Sequence, residues 1–230
     1  MIPLGDDQGK FRFVATTVVL SAGLLAAFIY QWSLSEKAVA SLAASMGLVV
    51  PDVMAALRGA SGLNFVLHGL VPMFFHSFLH AGPIHVASCV VGLWAFGARL
   101  ESRTSWWRFL LFFAVCTVLG GVAQLYLDPK SDAAHLGATV PVGSAGLVYW
   151  LLHTKARIRL LILPLPMIVW APSIVAFLIF ATLQFHKVQE CIGLGCGVSI
   201  GYVPQLAGVA VGGLIVGPVL LGPRRRPSDR

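Results

Sequence analysis

Six long stretches of apolar residues, none of them carrying a charged side chain, follow one another along the chain. They cover residues 13–35, 59–98, 109–127, 133–154, 160–186 and 191–223. Each can supply the roughly 17–25 residues that a helix needs to cross the hydrocarbon core of a bilayer. Because lipid satisfies no backbone hydrogen bonds, helices are the expected spanning form. The pattern predicts an all-α integral membrane protein built as a bundle of six transmembrane helices.

The connection between the first and second spans, residues 33–72, is long. Within it, residues 38–46 have the pattern of a short helix, and the apolar content predicts that the loop lies on the membrane surface. The fifth stretch, taken as a helix from residue 160, carries three prolines, which predict a kinked or mobile span. These are Pro164, Pro166 and Pro172.

Composition supports a membrane protein, since 57% of the residues are hydrophobic and 11% are charged. Of the 16 lysines and arginines, 12 fall before the first stretch, in the second and fourth connections, and after the sixth stretch. The other four lie in the first, third and fifth connections. By the positive-inside rule both termini are expected in the cytoplasm. The net charge of +7 then reflects topology, and we expect no nucleic-acid binding.

This topology predicts three parts. Residues 1–12 form a cytoplasmic N-terminus, and residues 13–222 form the membrane domain, with a periplasmic first loop at about residues 33–72. Residues 223–230 form a basic cytoplasmic tail, whose arginines are expected to anchor it at anionic lipid headgroups.

Two cysteines, Cys191 and Cys196, lie in the fifth connection on the predicted outer side. A periplasmic pair of this kind can oxidise, so a disulfide and two free thiols both remain open. A zinc site there would need two further ligands, and the nearby sequence does not provide them.

Four motifs with defined spacing occur within the apolar stretches. In chain order they are His76-x-x-x-His80-x-x-x-x-His85-x-x-x-Cys89, Gly97-x-x-x-Glu101, Gly143-Ser144-Ala145-Gly146 and Gln205-x-x-Gly208-x-x-x-Gly212. These motifs, their order and the six predicted spans resemble the rhomboid family of intramembrane serine proteases. The resemblance implies a compact six-span bundle in a bacterial inner membrane, with the active-site cavity open to the periplasm.

The resemblance also implies where catalytic residues would stand. In rhomboids the serine of G-x-S-G attacks the substrate after a histidine of the sixth span takes its proton, and those positions are Ala145 and Gln205 here. A methyl group cannot attack, and a carboxamide is not a base near neutral pH. Of the histidine and asparagine that bind the oxyanion, His85 is retained, whereas Cys89 is a weaker donor than asparagine.

We therefore expect a catalytically inactive member of the family, a pseudoprotease that requires no cofactor. Rhomboid folds recognise transmembrane helices of other proteins through a lateral opening near the second and fifth spans. The expected function is binding of an integral membrane protein or complex through its transmembrane helices, as an adaptor, assembly factor or complex subunit.

Other interpretations remain open. Ala145 could be an active-site substitution in a working protease, because Gly-Ser-Ser-Gly would be an ordinary family motif, but this leaves Gln205 and Cys89 unexplained. Ser144 could act as the nucleophile, but His135 precedes it in a connection, His153 is expected on the cytoplasmic side and His186 near the outer end of the fifth span. The histidines and Cys89 could bind a metal or heme iron. We expect no metal, since the rhomboid spacing already accounts for the histidines.

Two further expectations concern packing. The motif glycines suit close helix contacts, a role that by itself explains their presence. Glu101 is expected to belong to a polar network at the end of a helix, not to act as a catalytic acid.

Overall fold

The computed structural model describes residues 2–6, 14–162, 167–193 and 202–222, with side chains for residues 14–159, 168–184 and 203–222. The predicted basic tail lies outside the described residues, as do Cys196 and the side chain of Cys191. The described chain is mostly helical, as the apolar pattern predicts.

The chain up to residue 75 forms one long helix and three shorter ones. They are α1 (Ala15–Ser33), α2 (Glu36–Met46), α3 (Val50–Gly59) and α4 (Gly62–Phe65, continued by Val66–Leu70 and Val71–Phe75). The helix predicted at residues 38–46 is present as α2 and begins two residues earlier, because the Ser35 side chain accepts a hydrogen bond from the Ala38 N–H at 3.4 Å and caps it.

The chain from residue 83 onward forms longer helices. They are α5 (Pro83–Arg103), α6 (Trp106–Leu127), α7 (Thr139–Leu152), α8 (Ser173–Gly193) and α9 (Tyr202–Val211, continued by Gly212–Val216 and Gly217–Leu221). Pro83 begins α5 and does not interrupt it, since the first turn of a helix tolerates a missing N–H.

Four helices are long and apolar enough to cross a membrane. These are Ala15–Ser33, Pro83–Arg103, Trp106–Leu127 and Val203–Leu221. Thr139–Leu152 and Ser173–Gln184 are also apolar but shorter. The described residues therefore form a multi-pass membrane protein, while the count of six spans stays a prediction.

The short helix α7 lies at the centre of the bundle. It packs against α5, α6, α8 and α9, and most of its side chains are buried. It begins at Thr139 and not at residue 133, because the preceding segment is fixed in an extended path. There Leu48 and His135 pair through two backbone hydrogen bonds of 3.1 and 3.0 Å, and the Gly137 N–H donates to the His76 carbonyl at 2.8 Å. Gly137 has a φ of +113°, which a side chain would strain.

Glycines allow α9 to approach the centre closely. A side chain at Gly208 would lie 2.9 Å from Val140 and 3.2 Å from the backbone of Gly120. A side chain at Gly212 would collide with the Ser144 hydroxyl and lie 2.8 Å from the Cys116 sulfur. Both motif glycines thus occupy helix contacts, as expected for small residues in membrane bundles.

The other motif glycines have similar surroundings. A side chain at Gly143 would lie 2.8 Å from Val209, and one at Gly146 would lie 2.6 Å from the Phe177 ring. At Gly97 a side chain would lie 2.6 Å from the Phe109 ring. These contacts give the glycines a packing role between neighbouring helices.

One prediction of helix is wrong. Residues 160–172 were assigned to the start of the fifth span, but the structure has strands β2 (Arg157–Ile162) and β3 (Met167–Pro172) there. β2 pairs with β1 (Ile2–Asp6) on one side and with β3 on the other, in an antiparallel sheet ordered β1-β2-β3. Pro172 ends β3 immediately before α8, so it does not kink a helix. Pro164 and Pro166 lie outside the described residues. Runs of branched apolar residues fit a strand as well as a span, and apolarity alone does not separate them.

Candidate functional site

Ala145 and Gln205, which are expected at the positions of the nucleophile and the base, lie on α7 and α9. Ala145 is completely buried in the core. Gln205 lines a cavity of about 50 Å³ that also includes Thr139, Gly143 and Gln184. Ligand pockets usually measure about 300–1,000 Å³, so this space does not hold a peptide segment in the observed conformation.

Ser144 is not among the residues that line this cavity. It is fully buried, and its hydroxyl donates to the Val209 carbonyl of α9 at 3.4 Å. Gly212 lies directly against the same hydroxyl. The serine therefore belongs to the contact between α7 and α9.

Each of the two histidines His76 and His80 is held by hydrogen bonds between a side chain and the backbone. The Nδ1 atom of His76 lies 2.9 Å from the Pro72 carbonyl, to which it donates. Gln31 of α1 makes two hydrogen bonds to the backbone of His80: it donates from Nε2 to the carbonyl at 2.7 Å and accepts from the N–H at 3.1 Å. The role of Gln31 is not evident from the sequence, because a single glutamine near the end of a span forms no motif.

A chain of hydrogen bonds connects α5, α7 and α8 beside the cavity. His85 Nε2 lies 3.0 Å from the Thr139 hydroxyl, which donates to Gln184 Oε1 at 3.3 Å. Gln184 Nε2 in turn donates to the Ser88 hydroxyl at 3.0 Å and contacts the Cys89 sulfur at 3.7 Å. Sequence reasoning missed Thr139 and Gln184. Both could have been suspected from the sequence, because each is a polar residue within an apolar stretch and polar groups in a membrane need partners.

His80, His85 and Cys89 come together at the start of α5. One ligand atom from each residue lies within 4.8 Å of the other two. The His80 and His85 rings are nearly perpendicular, with centroids 4.9 Å apart. His76, the other histidine of the motif, is not among the three.

His135 lies in the segment before α7, and its contacts are with the first loop and with Ser131. Its backbone pairs with Leu48, and its Nε2 atom lies 3.2 Å from the Ser131 hydroxyl. Burial lowers its pKa from the usual 6.5 to about 4, although the Asp128 carboxylate acts in the opposite direction. The residue joins the first loop to the segment that precedes α7.

Glu101 is buried at the last turns of α5, where it accepts hydrogen bonds from the start of α1. Its Oε1 accepts from the Thr16 N–H at 2.8 Å. Its Oε2 accepts from the N–H and the hydroxyl of Thr17, each at 2.8 Å. The expectation of a polar network at a helix end is therefore correct.

Comparison with models of protein families shows which family this chain belongs to. The family model named Rhomboid domain matches residues 67–222, more than half of the chain. The chain belongs to the rhomboid family. The match begins within α4 and ends just after α9, so it contains all four motifs of this rhomboid. A comparison with curated proteins finds no match.

Proposed function

We propose that this rhomboid is a pseudoprotease that binds transmembrane helices of other membrane proteins as an adaptor, assembly factor or complex subunit. The observation that carries the proposal is the pair Ala145 and Gln205 at the positions of the nucleophile and the base. Without a hydroxyl and a proton acceptor there, the acyl transfer of a serine protease has no first step.

Two features of the site support this proposal. The cavity beside Gln205 is small, and Gln184 and Thr139, which line it, are engaged with each other and with α5. The hydroxyl of Ser144 is buried against α9, so it is poorly placed to replace the missing nucleophile.

The partner surface that we propose is the seam between α5 and α8, the helices that correspond to the second and fifth spans. Phe96 closes the seam from α5, with its ring centroid 6.4 Å from that of Phe177 and 6.3 Å from that of Phe180. Outside it, Trp94 and Leu178 present exposed apolar side chains. A helix in lipid can pack on such a surface without exposing polar groups.

We further propose a location in a bacterial inner membrane, with six spans and both termini in the cytoplasm. The distribution of lysine and arginine supports this orientation. Reporter fusions at the two termini and in the first loop test it.

Site-specific photo-crosslinking in intact membranes tests partner binding. A photoreactive residue at Leu178, where 55% of the side chain is exposed, should crosslink to one integral membrane protein. Val19 of α1, which is 68% exposed, provides the matched control and should give little of that product. Equal crosslinking to many proteins from both positions would contradict the proposal, as would no product at Leu178 or Trp94.

A further inference from the structure

We propose that His80, His85 and Cys89 form a binding site for a transition-metal ion, with Zn²⁺ the best match, at the N-terminal end of α5. This reverses the expectation from sequence that the histidines serve only the rhomboid motif. The proposal does not depend on the proposed partner binding.

The positions of the three ligand atoms fit a metal site. They lie within 4.8 Å of one another, and they come from a fully buried histidine, a partly exposed histidine and a fully buried cysteine. Tetrahedral zinc has bonds of about 2.0–2.3 Å, which places its nitrogen and sulfur ligands about 3.3–3.8 Å apart. The 4.8 Å spread is at most about 1.5 Å wider than this spacing, a difference that side-chain rotation would have to close.

His80 has a nitrogen that needs a partner. Its Nδ1 lies 3.2 Å from the Phe78 carbonyl, which can only accept, so the ring proton is on Nδ1. Nε2 then carries a lone pair, and it is buried without a hydrogen-bond partner among the described residues. A buried acceptor left in this state is destabilising, and a bound cation would satisfy it.

His85 and Cys89 are oriented by their other contacts. The Thr139 hydroxyl donates to Gln184 and therefore accepts from His85 Nε2–H, which leaves the lone pair of Nδ1 available. Gln184 Nε2 lies 3.7 Å from the Cys89 sulfur and can donate to a thiolate there. Each of the three ligands thus has an outer hydrogen bond, the arrangement that fixes ligands in known metal sites.

The ligand set indicates the type of ion. Two imidazoles and one thiolate suit zinc or copper, whereas magnesium and calcium prefer oxygen ligands. Three protein ligands leave a fourth tetrahedral position for water or another donor. On binding, the Cys89 thiol releases its proton to solvent, and the thiolate cancels one of the two charges of the ion.

Metal analysis of the full chain tests the site. The protein is purified in detergent with an affinity tag that contains no histidine, dialysed against zinc chloride and then against metal-free buffer, and measured by elemental analysis. We expect about one equivalent of zinc for the unaltered chain. His80→Ala and Cys89→Asn should each retain less than about a tenth of that amount.

Controls separate metal loss from misfolding. His68→Ala removes an exposed histidine of α4 and should bind zinc like the unaltered chain. Cys89→Asn introduces the residue found at this position in active rhomboids, so it is expected to fold, as helical circular dichroism and gel filtration should show. Zinc should also raise the melting temperature of the unaltered chain and of His68→Ala, but not that of the two site variants. Copper binding with the same residue dependence would support the site. Negligible binding of both metals by the unaltered chain, or equal binding by a folded Cys89→Asn variant, would overturn it.

Discussion

Glu101 and Thr17, which are 84 residues apart in the chain, share two hydrogen bonds of 2.8 Å between one carboxylate oxygen and the threonine N–H and hydroxyl. The other carboxylate oxygen accepts from the N–H of Thr16. The end of α5 thereby satisfies N–H groups in the first turn of α1, where a helix has no internal acceptors. The negative charge also lies at the positive end of the helix dipole.

Loss of this carboxylate should destabilise the bundle. Glu101→Ala leaves two buried N–H groups of α1 without acceptors, and we expect the free energy of unfolding to fall by about 2–4 kcal/mol. Thermal melting in detergent provides the measurement. Glu36→Ala, at an exposed glutamate of α2, is the control and should change little. Similar melting temperatures for the two variants would mean that water replaces the carboxylate.

The Glu101 network also indicates how far the sequence could predict the structure. The resemblance of Gly97-x-x-x-Glu101 to the motif that ends the second rhomboid span implied a helix-end role for Glu101, which is correct. The donors to Glu101, Thr16 and Thr17, could not be predicted. Threonines in an apolar stretch form no pattern, and they are distant from Glu101 in sequence. The strands at residues 157–172 were missed because their apolar run continues into that of α8.

Larger residues at the motif glycines of α9 should disrupt its contact with α7. Gly208→Leu forces a side chain into Val140 and the backbone of Gly120, and we expect a loss of about 1–3 kcal/mol or more in stability. The yield of monodisperse protein and the melting temperature report the effect. Gly59→Leu makes the same change where nothing lies within 4 Å of the added Cβ, and it should be tolerated. If both variants behaved alike, the close approach of α9 would be incorrect.

Stability should decrease as the pH falls from about 6.5 to about 4, in part because of His135. Its folded pKa of about 4 lies below the usual 6.5, so the unfolded chain binds the proton first in this interval. Folding is then favoured above this interval and progressively less favoured within it. Melting temperatures measured across the interval should fall less steeply for His135→Gln than for the unaltered chain. If the melting temperatures of the two proteins fell equally with pH, the pH dependence would come from other groups.

The candidate site was predictable only in part. The motif spacing identified His80, His85 and Cys89, but their convergence required the turn at residues 81–82 and the start of α5 at Pro83. Gln184 lies on α8, 95 residues from Cys89, and no local pattern connects the two. Sequence spacing therefore identified the residues at and just before the start of α5, whereas their partners on α7 and α8 depended on tertiary packing.

Introducing the protease residues in steps tests the proposal that the chain is inactive because it lacks them. Ala145→Ser alone should remain unreactive towards a serine-directed fluorophosphonate, because an unassisted hydroxyl stays protonated. Ala145→Ser combined with Gln205→His and Cys89→Asn supplies a nucleophile, a base and an oxyanion donor. General-base assistance typically contributes about 10²–10⁴ in rate, so the triple variant should be labelled at least about tenfold faster than the single variant. Ser144→Ala in the triple background should leave this labelling intact, since the Ser144 hydroxyl is bonded to α9. Full reactivity of the Ala145→Ser single variant would show that another base is in place. Labelling of the unaltered chain at Ser144 would contradict the proposed inactivity.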